Sequence, residues 1–499
     1  MRNRQIKSIH LLIVLIVFVL NSRLAAQPQE KFDLVILNGR VIDPETKLDA
    51  VKNIGISGTR ISVITSESIQ GKKTINAAGL VVAPGFIDLH IHGRSNQEQA
   101  YQLHDGVTTA LELEWGVEFM KDWLESRASK ALINYGASVC WPFERFRAME
   151  QFKPALGKLQ ETVRSGNSGI ENLFNTIIPS YTLQPTPEET SAARLNMIQA
   201  LKEGGIGIGV PVGYLPKTKS DEMYQVFKLA GEMNTIVFSH VREPNILSIQ
   251  EAMANAMITD SRLHLVHINS MALGHIQTSL EIIRNAQARG FDITTELYPY
   301  TAASTMLQSA LFNDGWQEKL GMTYSDLQWV ETGERLTKEK FEQYRKSGGT
   351  VIMHLMKPEW IKTGLAAPGV MVASDGMAYA PLAHPRTAGT FSRVLGKYVR
   401  EEKVMDLSTA IEKMTLLPAR RLELDAPSMR FKGRLQTGMD ADITIFNAAT
   451  ITDQATFEKG LEFSAGIEHV IVNGTPVLAY GKSVEKVFPG QPVFGKLKQ

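Results

Sequence analysis

The sequence predicts an α/β protein, a (β/α)8 barrel with a small β-sandwich domain built from both chain ends. Two observations predict it. Short apolar runs alternate with amphipathic helical stretches through the middle of the chain, which is typical of repeated βα units. The two ends instead carry strand, turn, strand patterns without intervening helices. We divide the 499-residue chain accordingly at 1–26, 27–82, 83–425 and 426–499.

Residues 1–26 have the layout of a signal peptide. Basic residues between Met1 and Lys7 precede the apolar run Leu11–Leu20, and small residues follow before Gln27. The apolar run is shorter than the roughly 20 residues that span a bilayer. We therefore expect export to the periplasm or the cell exterior and no stable membrane insertion after cleavage. Arg23 and Leu24 make a poor cleavage context, so an uncleaved amphiphilic anchor stays open as the alternative.

The β-rich ends occupy residues 27–82 and 426–499. The first contains LVILNGRVID and KNIGISGTRISVI, and the second contains DADITIF and IEHVIVNGTPVLAYGK. Asn473 and Gly474 form a dipeptide typical of two-residue hairpin turns. Because neither end can cover its own hydrophobic face, we expect the two to pair in one sandwich.

Residues 83–425 contain eight candidate strands in about 300 residues, the number that a (β/α)8 barrel requires. Helical patterns such as DEMYQVFKLAGEM and IQTSLEIIRNAQARG separate several of them. The candidate strands are GFIDLHIH, TTALELE, NYGASVC, GIGIGVPV, TIVFSHV, RLHLVHI, FDITTELY and GVMVASD. In such barrels the chemistry lies at the carboxyl ends of the strands.

Composition narrows the ligand class. Basic and acidic residues number 53 and 52, for a formal charge of +1, so no global field attracts nucleic acid or an anionic membrane. We expect a small-molecule substrate. The chain has one cysteine, Cys140, which excludes an internal disulfide and a cysteine-rich zinc module. The glycines of GGIGIG open a strand and do not match a dinucleotide-binding turn, so no nucleotide cofactor is expected.

Five side chains with metal-binding chemistry come at the ends of predicted strands. His90 and His92 lie two apart, so strand alternation points both imidazoles to one side. His240, His267 and Asp375 each end another strand. Because the carboxyl ends of barrel strands meet at one mouth, the order HxH, His, His, Asp indicates a shared metal site. Asp375 in Ser-Asp-Gly has a second interpretation, a helix cap.

These residues and their surroundings resemble the amidohydrolase superfamily. The resemblance rests on APGFIDLHIHG, ASDG, MTLLPARRL and KGRLQTGMDADITIF, and it covers nearly all of the mature chain. Within that superfamily, GVTTALELEWG, GIGVPVGYLP, ELYPYTAAST and HPRTAGTFSRVLG look most like the N-acyl-D-amino-acid deacylases, or D-aminoacylases. The resemblance implies a zinc enzyme that cleaves a linear amide and releases a carboxylate and a free amino acid.

The resemblance also implies roles for the candidate residues. His90, His92 and Asp375 would hold one metal position, and His240 with His267 the other. One or two Zn²⁺ ions, or other divalent metals, would lower the pKa of bound water towards about 7 and polarise the amide carbonyl. Asp375 would take a proton from the attacking water and pass it to the leaving amine.

The chain departs from the deacylases on the second strand. They supply a cysteine ligand just after GVTT, where this chain has Glu112, Leu113, Glu114 and Trp115. A carboxylate can bridge metals in place of a thiolate, and we favour Glu114 over Glu112 because Glu114 lies nearer the strand end. The alternative is that neither binds metal and each pairs with a barrel Arg or Lys.

A second departure concerns the substrate. The deacylases follow their second metal histidine with a lysine that helps to hold the substrate carboxylate, but Ile268 and Asn269 follow His267 here. Arg386 remains as a planar cation for that carboxylate, with Tyr300 and Ser304 as hydroxyl donors. Arg386 could otherwise be a solvated loop residue.

Other features receive ordinary interpretations. His264, His275 and His354 lack placement at a strand end and are interpreted as core or surface residues. By resemblance to the deacylases, the charged stretch near 314–347 would form a lid-like insertion after the seventh strand.

Two rival functions stay open. One is an amidohydrolase acting on a dipeptide or a cyclic amide, as dihydroorotase-like relatives do. The other is a catalytically inactive interaction protein that keeps the barrel. The oligomeric state stays unknown.

Overall fold

The computed structural model describes residues 32–167, 169–377 and 382–499. The signal peptide predicted at 1–26 lies outside these residues. None of the described helices is long and apolar enough to cross a bilayer.

The strands form three sheets. In chain order they are β1 (Phe32–Asp43), β2 (Leu48–Ser57), β3 (Arg60–Thr65), β4 (Gly71–Asn76), β5 (Val81–Pro84), β6 (Phe86–Asp88), β7 (Val107–Val117), β8 (Asn134–Cys140), β9 (Ile208–Pro211), β10 (Ile236–His240), β11 (Arg262–Leu265), β12 (Ile293–Leu297), β13 (Ala303–Met306), β14 (Leu327–Trp329), β15 (Thr350–Met353), β16 (Val370–Val372), β17 (Ile443–Phe446), β18 (Ile467–Val472), β19 (Thr475–Ala479) and β20 (Lys482–Ser483).

At least one helix follows each barrel strand along the chain. The helices are α1 (Asn96–His104), α2 (Met120–Arg127), α3 (Trp141–Ala148), α4 (Lys153–Arg164), α5 (Ile170–Ile177), α6 (Pro187–Lys202), α7 (Ser220–Glu232), α8 (Ile246–Thr259), α9 (Ile268–Ala272), α10 (Ile276–Ala288), α11 (Trp316–Leu320), α12 (Lys338–Ser347), α13 (Pro358–Ala366), α14 (Arg386–Arg393), α15 (Leu407–Met414) and α16 (Leu416–Leu422). A π-helical segment, Val394–Glu401, continues α14.

Eight parallel strands form the barrel, in the order β16-β12-β11-β10-β9-β8-β7-β6. The last and first strands meet just beyond their carboxyl ends, where Ile91 bridges to Gly376. The His92 amide donates to the Gly376 carbonyl at 2.8 Å, and the Asp375 amide donates to the His90 carbonyl at 2.8 Å. The predicted barrel and its eight strands are therefore confirmed, and closure brings the first and eighth strand ends into contact.

Apolar side chains fill the barrel below the polar strand ends. They precede the polar residues on parallel strands, so they lie on the amino-terminal side of the mouth. The cluster includes Ile87, Leu89, Leu111, Leu113, Ile236, Phe238, Met371 and Ala373. Burying apolar area at roughly 25 cal/mol per Å² makes this layer a major source of stability. It gives the polar mouth a rigid support.

The chain ends pair as expected. Strand β17 pairs antiparallel with β5, which joins the two ends in a nine-stranded sheet. The predicted sandwich is one hydrogen-bonded sheet of nine strands, and seven of them, β1–β5, β17 and β18, share an apolar cluster. Asn473 and Gly474 link β18 to β19 with φ angles of 46° and 76°, which is the two-residue turn predicted from their identity.

An insertion separates the seventh and eighth barrel strands. Strands β13, β15 and β14 form a small antiparallel sheet, and α11 and α12 pack on it. This unit spans the stretch predicted near 314–347 and extends beyond it at both ends. Its own apolar cluster contains Phe312, Trp316, Leu327, Trp329 and Phe341. We call residues 303–353 the roof, because several of their side chains line the cavity above the barrel mouth.

Candidate metal centre

The barrel mouth gathers six buried or half-buried candidate ligands. Their potential ligand atoms form two groups, each with all atoms within 4.8 Å of one another. One group contains His90, His92, Glu114 and Asp375, and the other contains Glu114, His240 and His267. The strand-end placement explains this convergence, because parallel barrel strands present their carboxyl ends at one rim.

Glu114 belongs to both groups, and its two carboxylate oxygens are divided between them. Oε2 lies 3.1 Å from His90 Nε2 and 3.2 Å from His92 Nε2. Oε1 lies 2.7 Å from His240 Nδ1 and 3.2 Å from His267 Nε2. Burial opposes ionisation of Glu114, but His90, His240 and His267 outweigh it and hold the Glu114 pKa well below its usual range. The carboxylate is thus placed to bridge two positions.

Asp375 faces the first position. Its Oδ1 lies 3.5 Å from His90 Nε2 and 3.3 Å from His92 Nε2. Its Oδ2 forms an ion pair with Arg386 Nη1 at 2.7 Å. Burial opposes ionisation, but Arg386 and His90 outweigh it and keep the Asp375 pKa well below the ordinary value. Asp375 is therefore a carboxylate at neutral pH.

Two candidate ligands have left-handed backbone conformations. The φ angle is 31° at His267 and 53° at Asp375. Such conformations are uncommon for residues other than glycine and cluster at functional sites. At Asp375 the hydrogen bond from its amide to the His90 carbonyl holds this conformation.

Glu112 lies on the far side of His92. Its Oε2 is 3.1 Å and its Oε1 is 3.2 Å from His92 Nδ1, whereas His92 Nε2 faces Glu114 and Asp375. Neither group of potential ligands includes Glu112 or Cys140. Burial raises the pKa of the Cys140 thiol well above its usual value, which disfavours the thiolate that binds metals.

The donor set fits a divalent cation. Imidazole nitrogen and carboxylate oxygen are usual zinc ligands, and the described residues supply both around two adjacent positions. Within the described chain, His267 Nδ1 is buried without a hydrogen-bond partner, whereas Nε2 lies 3.2 Å from Glu114 Oε1.

A cavity of about 790 Å³, part of it open to solvent, lies above this centre. His92, Glu114, His240, His267 and Asp375 form its floor. Its other walls are largely apolar and include Trp115, Phe174, Tyr214, Met271, Tyr298, Met306, Leu311, Leu320, Met353 and Leu355. A side compartment of about 300 Å³ continues between Trp115, Phe174, Tyr214 and Met306.

The three predicted substrate-binding residues do not all reach the cavity. Ser304 lines the cavity. Arg386 is 1% exposed and lies below the cavity wall, over the Tyr298 ring at 4.6 Å. The expectation for Tyr300 needs correction, because its hydroxyl points away and lies 3.3 Å from both the Pro385 carbonyl and the Asp453 carboxylate.

Sequence reasoning missed two residues at this centre. Tyr298 lines the cavity and directly follows β12, so its place at a strand end was a usable signal. Glu296, on β12, lies between His90 Nδ1 at 2.6 Å and His264 Nε2 at 3.1 Å. His264 is a buried core residue as expected, but it contacts this carboxylate.

Comparisons with known proteins agree with this architecture. The profile of the amidohydrolase family matches residues 81–477. A D-aminoacylase from Alcaligenes xylosoxydans xylosoxydans is 30% identical, covering 93% of this chain and 96% of the relative. An N-acyl-D-glutamate deacylase from the same organism is 29% identical, covering 90% and 94%.

A solved structure shows the same fold. The crystal structure of N-acyl-D-glutamate deacylase from Bordetella bronchiseptica, complexed with zinc and a phosphonate mimic of the tetrahedral intermediate, aligns with a TM-score of 0.77. The two chains are 24% identical over 93% of this chain and all of the other.

Fold and site together define a metal-dependent hydrolase with a barrel-mouth centre. The chain belongs to the amidohydrolase family, within which it is of the D-aminoacylase type, acting on carbon-nitrogen bonds other than peptide bonds.

Proposed function

We propose that this enzyme deacylates N-acyl-D-amino acids and that Zn²⁺ is its metal. One observation carries the proposal. Glu114 divides its two oxygens between the His90/His92 pair and the His240/His267 pair, with Asp375 at the cavity floor. This arrangement keeps the two-position chemistry of the deacylases although their cysteine ligand is absent. Glu114 replaces that cysteine, and Glu112 does not.

Asp375 acts as the general base in this proposal. It is ionised and borders the cavity, with Oδ2 paired to Arg386 and Oδ1 facing His90 and His92. Asp375 takes a proton from water as the water oxygen bonds to the amide carbon. The carbon-nitrogen bond then breaks, and the same proton passes to the leaving amine. A divalent ion held here supplies Lewis acidity and lowers the pKa of water.

The substrate carboxylate binds, in our proposal, near Ser304, Tyr298 and Arg386. Ser304 and Tyr298 border the cavity, and Arg386 Nη2 reaches the Ser304 carbonyl at 3.5 Å. Arg386 does not line this cavity and is paired with Asp375 Oδ2, so in this proposal it attracts the substrate carboxylate by its charge and not as a direct donor. Burial raises the pKa of Tyr298 above its usual value, so its hydroxyl stays protonated and can donate a hydrogen bond.

The cavity walls favour a neutral acyl-amino acid over an acidic one. Besides histidines, the basic residue that lines the cavity among the described residues is Arg242. Glu251 already holds it through two hydrogen bonds of 3.0 and 2.9 Å. The side-chain carboxylate of an N-acyl-glutamate or N-acyl-aspartate substrate would thus find no unpaired cation among the described residues that line the cavity. Leaving a buried carboxylate unpaired costs free energy.

Enzyme assays test this proposal directly. Purified protein is supplied with Zn²⁺ and offered N-acetyl-D-leucine, its L-enantiomer, N-acetyl-D-glutamate, dipeptides and dihydroorotate. We expect the D-leucine derivative to be hydrolysed fastest and the chelator-treated enzyme to be inactive. Preferential hydrolysis of a dipeptide or a cyclic amide would overturn the proposed substrate class. Absence of hydrolysis with every compound would favour the hypothesis of a catalytically inactive protein.

Export is part of the proposal. The basic, apolar and small-residue order within 1–26 supports a signal peptide. We expect the mature enzyme in the periplasm or outside the cell. Mass spectrometry of the amino terminus and cell fractionation check this, and an intact Met1 with cytoplasmic recovery would contradict it.

A further inference from the structure

His90 is held from both sides of its ring. Its Nε2 faces the centre, 3.1 Å from Glu114 Oε2. Its Nδ1 lies 2.6 Å from Glu296 Oε1. Both Glu296 and His90 are buried, so water does not compete for this contact. Carboxylate oxygens only accept hydrogen bonds, so Nδ1 donates its proton to Glu296 Oε1. An ion bound at Nε2 would leave this Nδ1–H as the only N–H of the ring.

His92 repeats this arrangement with a different carboxylate. Its Nε2 lies 3.2 Å from Glu114 Oε2 and 3.3 Å from Asp375 Oδ1. Its Nδ1 lies 3.1 Å from Glu112 Oε2. Each imidazole of the HxH motif therefore has a dedicated carboxylate behind it, supplied by a separate strand.

Each of these carboxylates is itself anchored. Glu296 Oε2 lies 3.1 Å from His264 Nε2, and His264 Nδ1 lies 2.8 Å from Thr294 Oγ1. Glu112 lies 3.8 Å from Arg94 Nε. Arg94 also donates to the Gly116 carbonyl at 2.7 Å. These contacts limit the rotation of both carboxylates.

The other histidine pair lacks this support within the described residues. His267 Nδ1 has no hydrogen-bond partner. His240 uses Nδ1 towards Glu114. The carboxylate support is thus specific to the His90/His92 position.

We propose that Glu112 and Glu296 are positioning residues for the metal position formed by His90 and His92. They fix the Nδ1-protonated tautomer, orient Nε2 towards the ion and increase the basicity of the ligand nitrogen. A carboxylate behind a metal-binding histidine typically contributes 10- to 100-fold in metal affinity. Neither residue touches the substrate cavity, as neither lines it.

The test measures Co²⁺ binding by metal-free protein, using competition with a chromophoric chelator and the visible absorption of the bound ion. The variants are Glu296→Gln and Glu112→Gln, which lose the charge but keep an amide oxygen as acceptor. We expect each to weaken one Co²⁺ site by about 10- to 100-fold and to change the absorption band. Glu296→Asp shortens the side chain but keeps the charge, and we expect it to recover part of the affinity.

Glu144→Gln is the matched control, because Glu144 is a buried carboxylate that pairs with Arg147 away from the centre. It should bind Co²⁺ as the wild type does. Thermal unfolding of each metal-free variant checks that it is folded, and Thr294→Val perturbs the support of Glu296 more mildly if Glu296→Gln is unstable.

The inference depends on the proposed metal centre, and the two fail differently. Wild-type protein that binds no Co²⁺ would overturn the centre itself. If the wild type binds Co²⁺ and both glutamine variants bind it with the same affinity and absorption, only the positioning role is overturned. A loss of affinity equal to that in Glu144→Gln would also overturn it, since the effect would then come from any buried carboxylate.

Discussion

The floor and the roof of the cavity are built from opposite kinds of contact. The floor consists of ionisable side chains at barrel strand ends, each contacting another charged or polar group. The roof, residues 303–353, presents apolar side chains such as Met306, Leu311 and Leu320. The floor rests on the barrel, whereas the roof has a separate apolar cluster.

The two kinds of contact assign catalysis and substrate specificity to different parts of the cavity. Floor contacts are directional, so a small displacement of one group removes function. Roof contacts are apolar and roughly additive in area, so changes there adjust binding in small steps. Chemistry should thus depend on the floor and substrate preference on the roof.

Asp375→Asn removes the proposed general base from the cavity floor and has the largest expected effect. The amide keeps the shape but cannot accept the proton, and general-base catalysis contributes about 10²- to 10⁴-fold. We expect kcat/KM to fall by at least about a thousandfold with an unchanged circular dichroism spectrum. Asp122→Asn, at a residue outside the cavity, is the control. Activity within tenfold of wild type would remove Asp375 from the proposed mechanism.

Metal removal tests the floor as a unit. Chelation should abolish activity and lower the melting temperature, because an ion that binds only the folded state stabilises it by about 2.7 kcal/mol at 100 times its Kd. Added Zn²⁺ should restore both. Scanning calorimetry with and without chelator measures the shift. A melting temperature that does not change with added metal or chelator would indicate that the ligand groups around Glu114 hold no ion.

Met306→Ala tests the roof. Met306 borders both the main cavity and its side compartment, and lost apolar contact costs about 1–3 kcal/mol in such pockets. We expect KM for the best apolar substrate to rise about 5- to 100-fold while kcat changes little. Met233→Ala, at a half-buried methionine outside the cavity, is the comparison. A fall in kcat with KM unchanged would erase the division between floor and roof.

The smallest expected effect concerns roof stability at acid pH. Burial lowers the pKa of His354 to about 4, and its Nε2 lies 2.9 Å from Gln328 Oε1. The unfolded value is about 6.5, so the folded state binds fewer protons and stability falls as pH drops from about 6.5 to 4. The hydrogen-exchange protection of residues 327–353, corrected for the intrinsic exchange rate at each pH, should fall over that window. His354→Gln should flatten the change, and an identical pH response in that variant would assign the effect elsewhere.

Particular residues show how far the sequence predicted the site. Strand alternation and strand-end position predicted that His90, His92, His240, His267 and Asp375 would meet, because both are local properties of parallel strands. Alternation alone could not separate Glu112 from Glu114, since both share one strand face. The interpretation of Tyr300 was wrong because the chain turns after β12 and leaves Tyr298 at the cavity.

Local patterns in the chain were enough to predict the barrel, the pairing of the two chain ends and the ligand types, because hydrophobic period and turn residues act over a few neighbours. Which imidazole nitrogen faces which carboxylate depends instead on how distant strands meet. Barrel closure between His92 and Gly376 and the left-handed backbone at Asp375 set those directions. Both depend on contacts between residues hundreds of positions apart, which no local pattern encodes.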